Sequence, residues 1–383
     1  MDLLKKIFIF TLFLFPLGEV FRLDFGNGVI IKPIDVGVVF VVLLWLIIKN
    51  SHKQKIKQRY ILIPVLLFFL TGLFSLLVGG SHLSLNEFLI SFSYLFRWIV
   101  YAGIFFVIFD LDNNFKKTIS KALIICGSLI VGLGYVQYFY YSNLRNLFYL
   151  GWDEHMYRMF SVFLDPNYAG SFFVLFFLFL ICLFLKKKTF LIGLILTLTL
   201  GAIFLTFSRS SLIMLVAGSS ILFALMNKKM LIVMLLGIIF IFICMASAYF
   251  NIENVNLFRA VSSEARLETA GNALLIIKNN PLIGVGFNSY RYAQFRYGLR
   301  NRANAQSHAD SAPDNSFLFV IATTGIVGFI LYLFLWVRVF KISSVLAIAS
   351  ITGVFINSMF INSLFYPFIM LWLWIIIAIK ENN

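Results

Sequence analysis

Apolar runs of roughly membrane-spanning length, separated by short polar intervals, recur along almost the whole chain. They cover residues 6–21, 34–49, 60–78, 88–109, 119–140, 166–185, 189–207, 210–227, 229–250, 315–337, 342–362 and 364–379. A helix crosses the hydrocarbon core of a bilayer with about 20 such residues. Lipid offers no partner to backbone N–H and C=O groups, so each run must satisfy its own as a helix. The pattern predicts an all-α polytopic membrane protein of about twelve transmembrane helices forming a single membrane domain, residues 1–383. The first run is interrupted by Pro16. It follows Lys5 and Lys6 as a signal peptide would, but no small-residue cleavage site comes after it, so it is read as a helix.

One long interval breaks the pattern, residues 251–314, which is expected to be a large extracytoplasmic loop. Within it Leu267, Ala270, Leu274 and Ile277 recur at helical spacing. Ser262 and Ser263 stand before them as caps and Asn279-Asn280-Pro281 as a stop, which predicts a short amphipathic helix near 263–279. Gly284-Val285-Gly286 reads as a tight bend, since a lone GxG does not define a phosphate loop.

Composition sharpens the membrane reading. The chain is 61% hydrophobic and 12% charged, beyond what a soluble core can hide. Cys126, Cys182 and Cys244 each stand alone in an apolar run and read as core residues. The net charge of +15 would suggest nucleic acid in a soluble protein; here it is first divided by membrane side. Lysines fill every second loop, which the positive-inside rule assigns to the cytoplasm together with both termini. On that assignment 16 of 18 lysines lie inside, Lys32 and Lys278 excepted, whereas only Arg59 and Arg338 of the 13 arginines do. Orientation does not require such a split. The planar, forked guanidinium suits phosphate and carboxylate, so an arginine-rich outer face points to an anionic ligand there. Pairing with outer acids such as Glu264 and Glu268 is the competing explanation.

Several residues are candidates for chemistry. Arg209 sits in Phe207-Ser208-Arg209-Ser210-Ser211 between two apolar runs, and Arg97 lies inside another. A charge in such a place lines a cavity or meets a partner; a structural salt bridge to Glu87 or Glu19 is the competing reading for both. Arg158, followed by Asp165-Pro166-Asn167, marks the outer start of a span, where proline suits a first turn. Arg291 belongs to a stretch, Tyr290 to Arg302, that interleaves arginines with aromatics. His308, Asp310 and Asp314-Asn315-Ser316 crowd the start of the next span. Asp314 or His308 would serve as a general base on a sugar hydroxyl; a plain helix cap is the bland alternative for Asp314.

Four local patterns, in order, resemble the O-antigen ligase and O-antigen polymerase family of bacterial membrane glycosyltransferases. They are Arg158-Met-Phe-Ser-Val-Phe-Leu-Asp-Pro-Asn-Tyr-Ala-Gly; Thr206-Phe-Ser-Arg-Ser; Arg266 through Asn280-Pro281-Leu-Ile-Gly-Val-Gly286; and Asp314-Asn315-Ser316-Phe317-Leu318 with Thr324-Gly325-Ile326-Val327-Gly328. The resemblance implies a GT-C-like bundle in the bacterial cytoplasmic membrane. It implies inverting, metal-independent transfer of a glycan from an undecaprenyl-diphosphate carrier to an acceptor glycan or lipid on the outer face, without a cofactor. Arg209, Arg266 and Arg158 are then the diphosphate-binding candidates and Asp314 and His308 the catalytic ones. Arg97, Arg291 and Asn315 are candidates for the substrate groove. Family ligases usually carry histidine where this chain has Asp314, which favours a polymerase of surface polysaccharide over a ligase. The partners implied are the lipid-linked glycan, membrane lipids and envelope-assembly proteins, not nucleic acid. A transporter or flippase for lipid-linked oligosaccharides is the alternative, as is a non-catalytic envelope scaffold.

Overall fold

A computed structural model describes residues 1–25, 29–53, 56, 58–226, 261–301 and 311–379, and for residues 148, 149 and 261–263 the backbone only. Among the described residues the chain is all-α, with one two-residue antiparallel hairpin, β1 (Leu23–Asp24) and β2 (Ile30–Ile31). Thirteen α-helices follow one another: α1 Asp2–Phe13, α2 Pro33–Ser51, α3 Arg59–Gly79, α4 Leu85–Asp110, α5 Asn113–Tyr140, α6 Pro166–Lys186, α7 Phe190–Leu205, α8 Arg209–Met226, α9 Val261–Asn279, α10 Tyr290–Arg296, α11 Ser316–Ile342, α12 Val345–Asn357 and α13 Pro367–Ala378. Seven of them, α2 to α6, α8 and α11, are long and apolar enough to cross a membrane, and α7, α12 and α13 are shorter apolar helices. The protein is an all-α polytopic membrane protein. The run at 229–250 lies outside the described residues.

Four of the described runs are shorter than the spans expected of them, among them α7 at 16 residues. The first stops at Phe13, and a 3-10 turn at Phe15–Leu17 takes over with Pro16 in it. Proline fixes φ and has no N–H to continue a helix. The last two are helices of 13 and 12 residues. Every residue of α13 is buried in the bundle, where Trp372 meets Phe15, Phe172, Phe176 and Phe179 edge-on. A helix apolar on all sides belongs in a core as readily as in lipid.

Contacts sort the helix ends by charge. Lys5 of α1 pairs with Asp112, and Lys49 of α2 with Asp110 at 2.8 Å. Trp45 donates to Asp110 at 2.9 Å, and the Arg338 guanidinium lies 4.2 Å over the Tyr60 ring. The first three contacts gather the ends of α1 and α2 at the α4–α5 junction, and the fourth joins the start of α3 to the end of α11. At the opposite end Lys32 pairs with Glu19 at 2.6 Å, both buried, and Lys32 lies over the rings of Tyr366 and Phe368.

Arg97 is at that end too. Its Nη2 donates to Asp35 at 2.9 Å and to the Ile30 carbonyl at 2.6 Å. Asp35 also accepts from the Tyr101 hydroxyl at 2.6 Å and the Lys32 N–H at 2.9 Å. The partner is therefore neither Glu87, which closes a capping box with Ser84, nor Glu19, which Lys32 occupies. A buried ion pair holds when further hydrogen bonds satisfy it, and here the pair pins the β1–β2 hairpin to α2 and α4.

Helix α11 is broken inside the bundle. Gly325 has φ 67° and ψ −174°, a region that glycine adopts without steric cost. The freed backbone groups are taken up by Pro281–Gly286. Val285 and Gly286 donate to the carbonyls of Ala322 and Thr323 at 3.0 Å each, and Ile326 donates to the Pro281 carbonyl at 2.9 Å. The Ser75 hydroxyl reaches the carbonyls of Ile283 at 2.6 Å and Thr323 at 2.5 Å. The bend read at Gly284-Val285-Gly286 is thus a backbone plug. A Cβ on Gly325 would come within 2.1 Å of the Leu282 oxygen, and one on Gly284 within 2.4 Å of the Thr323 carbonyl carbon.

Candidate active site

The site grows from four short stretches at the arginine-rich end. The first is the segment before α6. Gln137 of α5 accepts from the N–H groups of Phe160 at 2.9 Å and Ser161 at 3.0 Å, which fixes the segment after Arg158. Ser161 and Leu164 take positive φ values of 49° and 54°, turning the chain sharply. Asp165 then caps α6, accepting from Asn167 N–H at 2.6 Å and Tyr168 N–H at 3.3 Å, with Pro166 in the first turn. This is the N-cap chemistry that orphan N–H groups require.

The second stretch is the turn between α7 and α8. Phe207 adopts φ 47°, and the Ser208 hydroxyl accepts from Ser211 N–H at 3.4 Å, so that Arg209 opens α8. Arg158, itself buried, clamps this turn from below. Its Nε donates to the Thr206 carbonyl at 2.9 Å and its Nη2 to Asn167 Oδ1 at 3.3 Å. Met159 N–H donates to the Leu205 carbonyl at 2.8 Å. Gly170 lets α6 and α8 approach, since a Cβ there would lie 2.4 Å from the Ser211 oxygen.

The third stretch is α9, which carries Arg266 and packs against α10 and α11. Its buried positions are Ala273 and Ile276, whereas Leu267 and Leu274 are 74% and 57% exposed. The expected apolar stripe is therefore rotated: Leu267 and Leu274 face outward, and the small Ala273 allows close packing. Among the described residues the helix is already present at Val261, so Ser262 and Ser263 lie within it.

The fourth is the start of α11. Here Asn315 is the cap, accepting from Phe317 N–H at 2.9 Å and Leu318 N–H at 3.0 Å while donating to the Met359 carbonyl at 3.3 Å. Asp314 is consequently not used as the cap. Burial raises its carboxyl to about 6, against the pull of Arg266 and with the help of the neighbouring carboxylates Asp165 and Asp153. Burial likewise lowers Arg266; Asp314 and Asp165 oppose that, and the nearby Arg209 adds to it. Asp165 is raised by burial as well, countered by its backbone hydrogen bonds, Arg158 and Arg266. These mutual influences, which fall off with distance, show that Arg158, Arg209, Arg266, Asp165 and Asp314 share one neighbourhood. Beside it Tyr168 and Tyr366 stack at 3.9 Å, joining the site to the Lys32–Glu19 pair.

Of the residues singled out from sequence, Arg209 and Asp314 are linked electrostatically through Arg266, and Arg158 through Asp165. Arg97 is held by Asp35, Asn315 caps a helix, and Arg291 lies on α10, where burial raises the Tyr292 hydroxyl, Arg291 lowers it, and Glu87 and Tyr94 of α4 raise it further. Arg300 pairs with Glu268 at 3.2 Å, Arg145 with Glu154 at 3.1 Å and Arg97 with Asp35 at 2.9 Å, so among the described residues three outer arginines follow the competing explanation of pairing with acids. His308 lies outside the described residues, as do Arg302 and Asp310. Asp165, Asn167 and Ser208 stood within the quoted motifs but were not singled out as site residues; their signal is position, each in a first turn beside an arginine. Asp153 carried none.

Among the described residues no group of three or more His, Cys, Asp and Glu side chains is arranged to hold a metal ion. The arrangement offers charge neutralisation from guanidinium groups, with the N-termini of α6 and α8 turned to the same end, and a carboxylate of raised proton affinity beside them.

No curated protein matches the chain. Residues 192–333 match the family model described as O-antigen ligase. That interval runs from α7 into α11 and takes in Arg209, Arg266 and Asp314, leaving Arg158, Asp165 and Asn167 before it. It covers less than half of the chain, and over that interval the chain is similar to the O-antigen ligase family.

Proposed function

We propose that this protein transfers a glycan from an undecaprenyl-diphosphate carrier to an acceptor hydroxyl on the outer face of the cytoplasmic membrane, as a polymerase of surface polysaccharide. The observation that supports the reading is that Arg266 acts electrostatically on Asp314 and has Arg209 as a charged neighbour, at the end opposite the lysines. An anion-accepting pair stands beside a carboxylate fit to accept a proton, as glycosyl transfer from a diphosphate demands.

The acceptor oxygen attacks the anomeric carbon from the face opposite the diphosphate. The bond from that carbon to the phosphate oxygen breaks and its electron pair leaves with the diphosphate, inverting the configuration. The acceptor proton passes to Asp314, whose buried carboxylate is more basic than a free one. Arg209 and Arg266 neutralise the charge developing on the leaving group, the kind of electrostatic stabilisation that contributes most in a dry site. Arg158 holds the turn that carries Arg209. In this reading the 251–314 segment is extracytoplasmic and both termini are cytoplasmic.

The break in α11 bears on the transport alternative. Transporters use unwound helices to bind cargo, but here Pro281–Gly286 satisfies the break. Asp314, where family ligases usually carry histidine, favours polymerisation over ligation.

The test uses membranes containing the protein and an undecaprenyl-diphosphate-linked glycan, with a chelator present. Release of undecaprenyl diphosphate together with a longer glycan is expected. Arg209→Ala is expected to slow release by about 10²- to 10³-fold, the usual cost of losing one preorganised donor. Release undiminished by Arg209→Ala would remove the diphosphate role and the reading with it.

A further inference from the structure

Asn167 makes more connections between the arginine-bearing stretches than its place in a first turn requires. Its Oδ1 accepts from the Arg158 guanidinium at 3.3 Å and from the Ser208 hydroxyl at 3.0 Å. Its backbone carbonyl accepts from the Ser211 hydroxyl at 3.3 Å and the Ser171 hydroxyl at 2.7 Å. Its N–H is taken by Asp165. One side-chain oxygen therefore joins the segment carrying Arg158 to the turn that aims Arg209, and Ser208 is buried there.

We infer that Asn167 is a positioning residue for the diphosphate site, acting on Arg209 through the Ser208 hydroxyl and on Arg158 directly. This rests on the proposed function, because it presumes that Arg209 meets a diphosphate. Asparagine suits the task. Its carbonyl oxygen has two lone pairs for two donors, and it is neutral, so it does not compete with an anion for the guanidinium groups as an aspartate would.

The experiment measures binding of undecaprenyl diphosphate to the purified, detergent-solubilised full chain. Wild type is compared with Arg209→Ala, Asn167→Ala, Ser208→Ala and the Asn167→Ala/Ser208→Ala pair, with melting temperature recorded for each. The expected result is at least tenfold weaker binding for Arg209→Ala and about three- to tenfold weaker for Asn167→Ala. Ser208→Ala should weaken binding less, and the double variant should be no worse than Asn167→Ala, because residues sharing a partner are not additive. Ser208→Ala probes the same link should Asn167→Ala fail to fold. If Arg209→Ala binds like wild type, the functional reading fails and this inference with it. If Arg209→Ala is weakened while Asn167→Ala and Ser208→Ala bind like wild type, the inference alone fails. It also fails if the two effects simply add, or if Asn167→Ala lowers the melting temperature without changing affinity.

Discussion

At the scale of single residues the account turns on Asp314. Its carboxyl is raised to about 6 from 3.8, so a rate that needs it ionised should climb with pH and level off above about 6. Asp165→Asn removes one of the neighbouring carboxylates that push it up and should move that limb to lower pH. A pH–rate profile that stays in place, at equal protein, would contradict the coupling. The same shift has a stability sign. The folded chain binds the proton more tightly than the unfolded chain, so stability is expected to fall as pH rises through the window from 3.8 to about 6. Asp314→Asn should leave the fold intact, because Asn315 and not Asp314 caps α11, and should cost about 10²- to 10⁴-fold in rate, the range for loss of a general base. The residue types of this site were legible in the sequence, since a charge placed against hydrocarbon is costly enough to need a reason. Their partners were not. Arg97 meets Asp35 across 62 positions, and nothing local in either stretch announces it.

At the scale of elements, the paired motifs Pro281–Gly286 and Thr324–Gly328 act as one unit. The first supplies the backbone partners that the second loses at Gly325. Gly325→Ala must place a Cβ against the Leu282 carbonyl at φ 67°, and is expected to cost on the order of 1–3 kcal/mol in backbone strain plus the clash, read as a lowered melting temperature in detergent. Unchanged melting would mean that the break is not set by glycine. The break has its own sequence signal, glycines at fixed offsets, but two glycine motifs do not say that they face each other. On α9 the positions buried in the bundle are Ala273 and Ile276, while Leu267 and Leu274 stay exposed, so the leucine spacing marks an apolar face without saying what covers it. Apolar length overstated the first span and α13 for a different reason: hydropathy records how a helix avoids water, and a packed core serves as well as lipid.

At the scale of the whole molecule, the division of lysines from arginines along the sequence becomes a division between two ends of a bundle. The lysine end is held by Lys5–Asp112 and Lys49–Asp110. The other end holds the buried pairs Lys32–Glu19 and Arg97–Asp35 and the Arg209–Arg266–Asp314 neighbourhood. In a cysteine-free background, Tyr140→Cys, at an exposed position on the arginine side, should react with an impermeant maleimide on intact spheroplasts. Lys187→Cys should react only after permeabilisation; the reverse pattern would invert the orientation. The most direct test of the central claim is the length of cell-surface polysaccharide in a deletion strain complemented with wild type, Arg209→Ala or Asp314→Ala. Polymerisation at this site predicts a long-chain ladder with wild type and single surface-attached repeats with either variant. A normal ladder from either variant at normal expression would contradict catalysis here, and full-length chains left on the lipid carrier would assign the site to ligation instead.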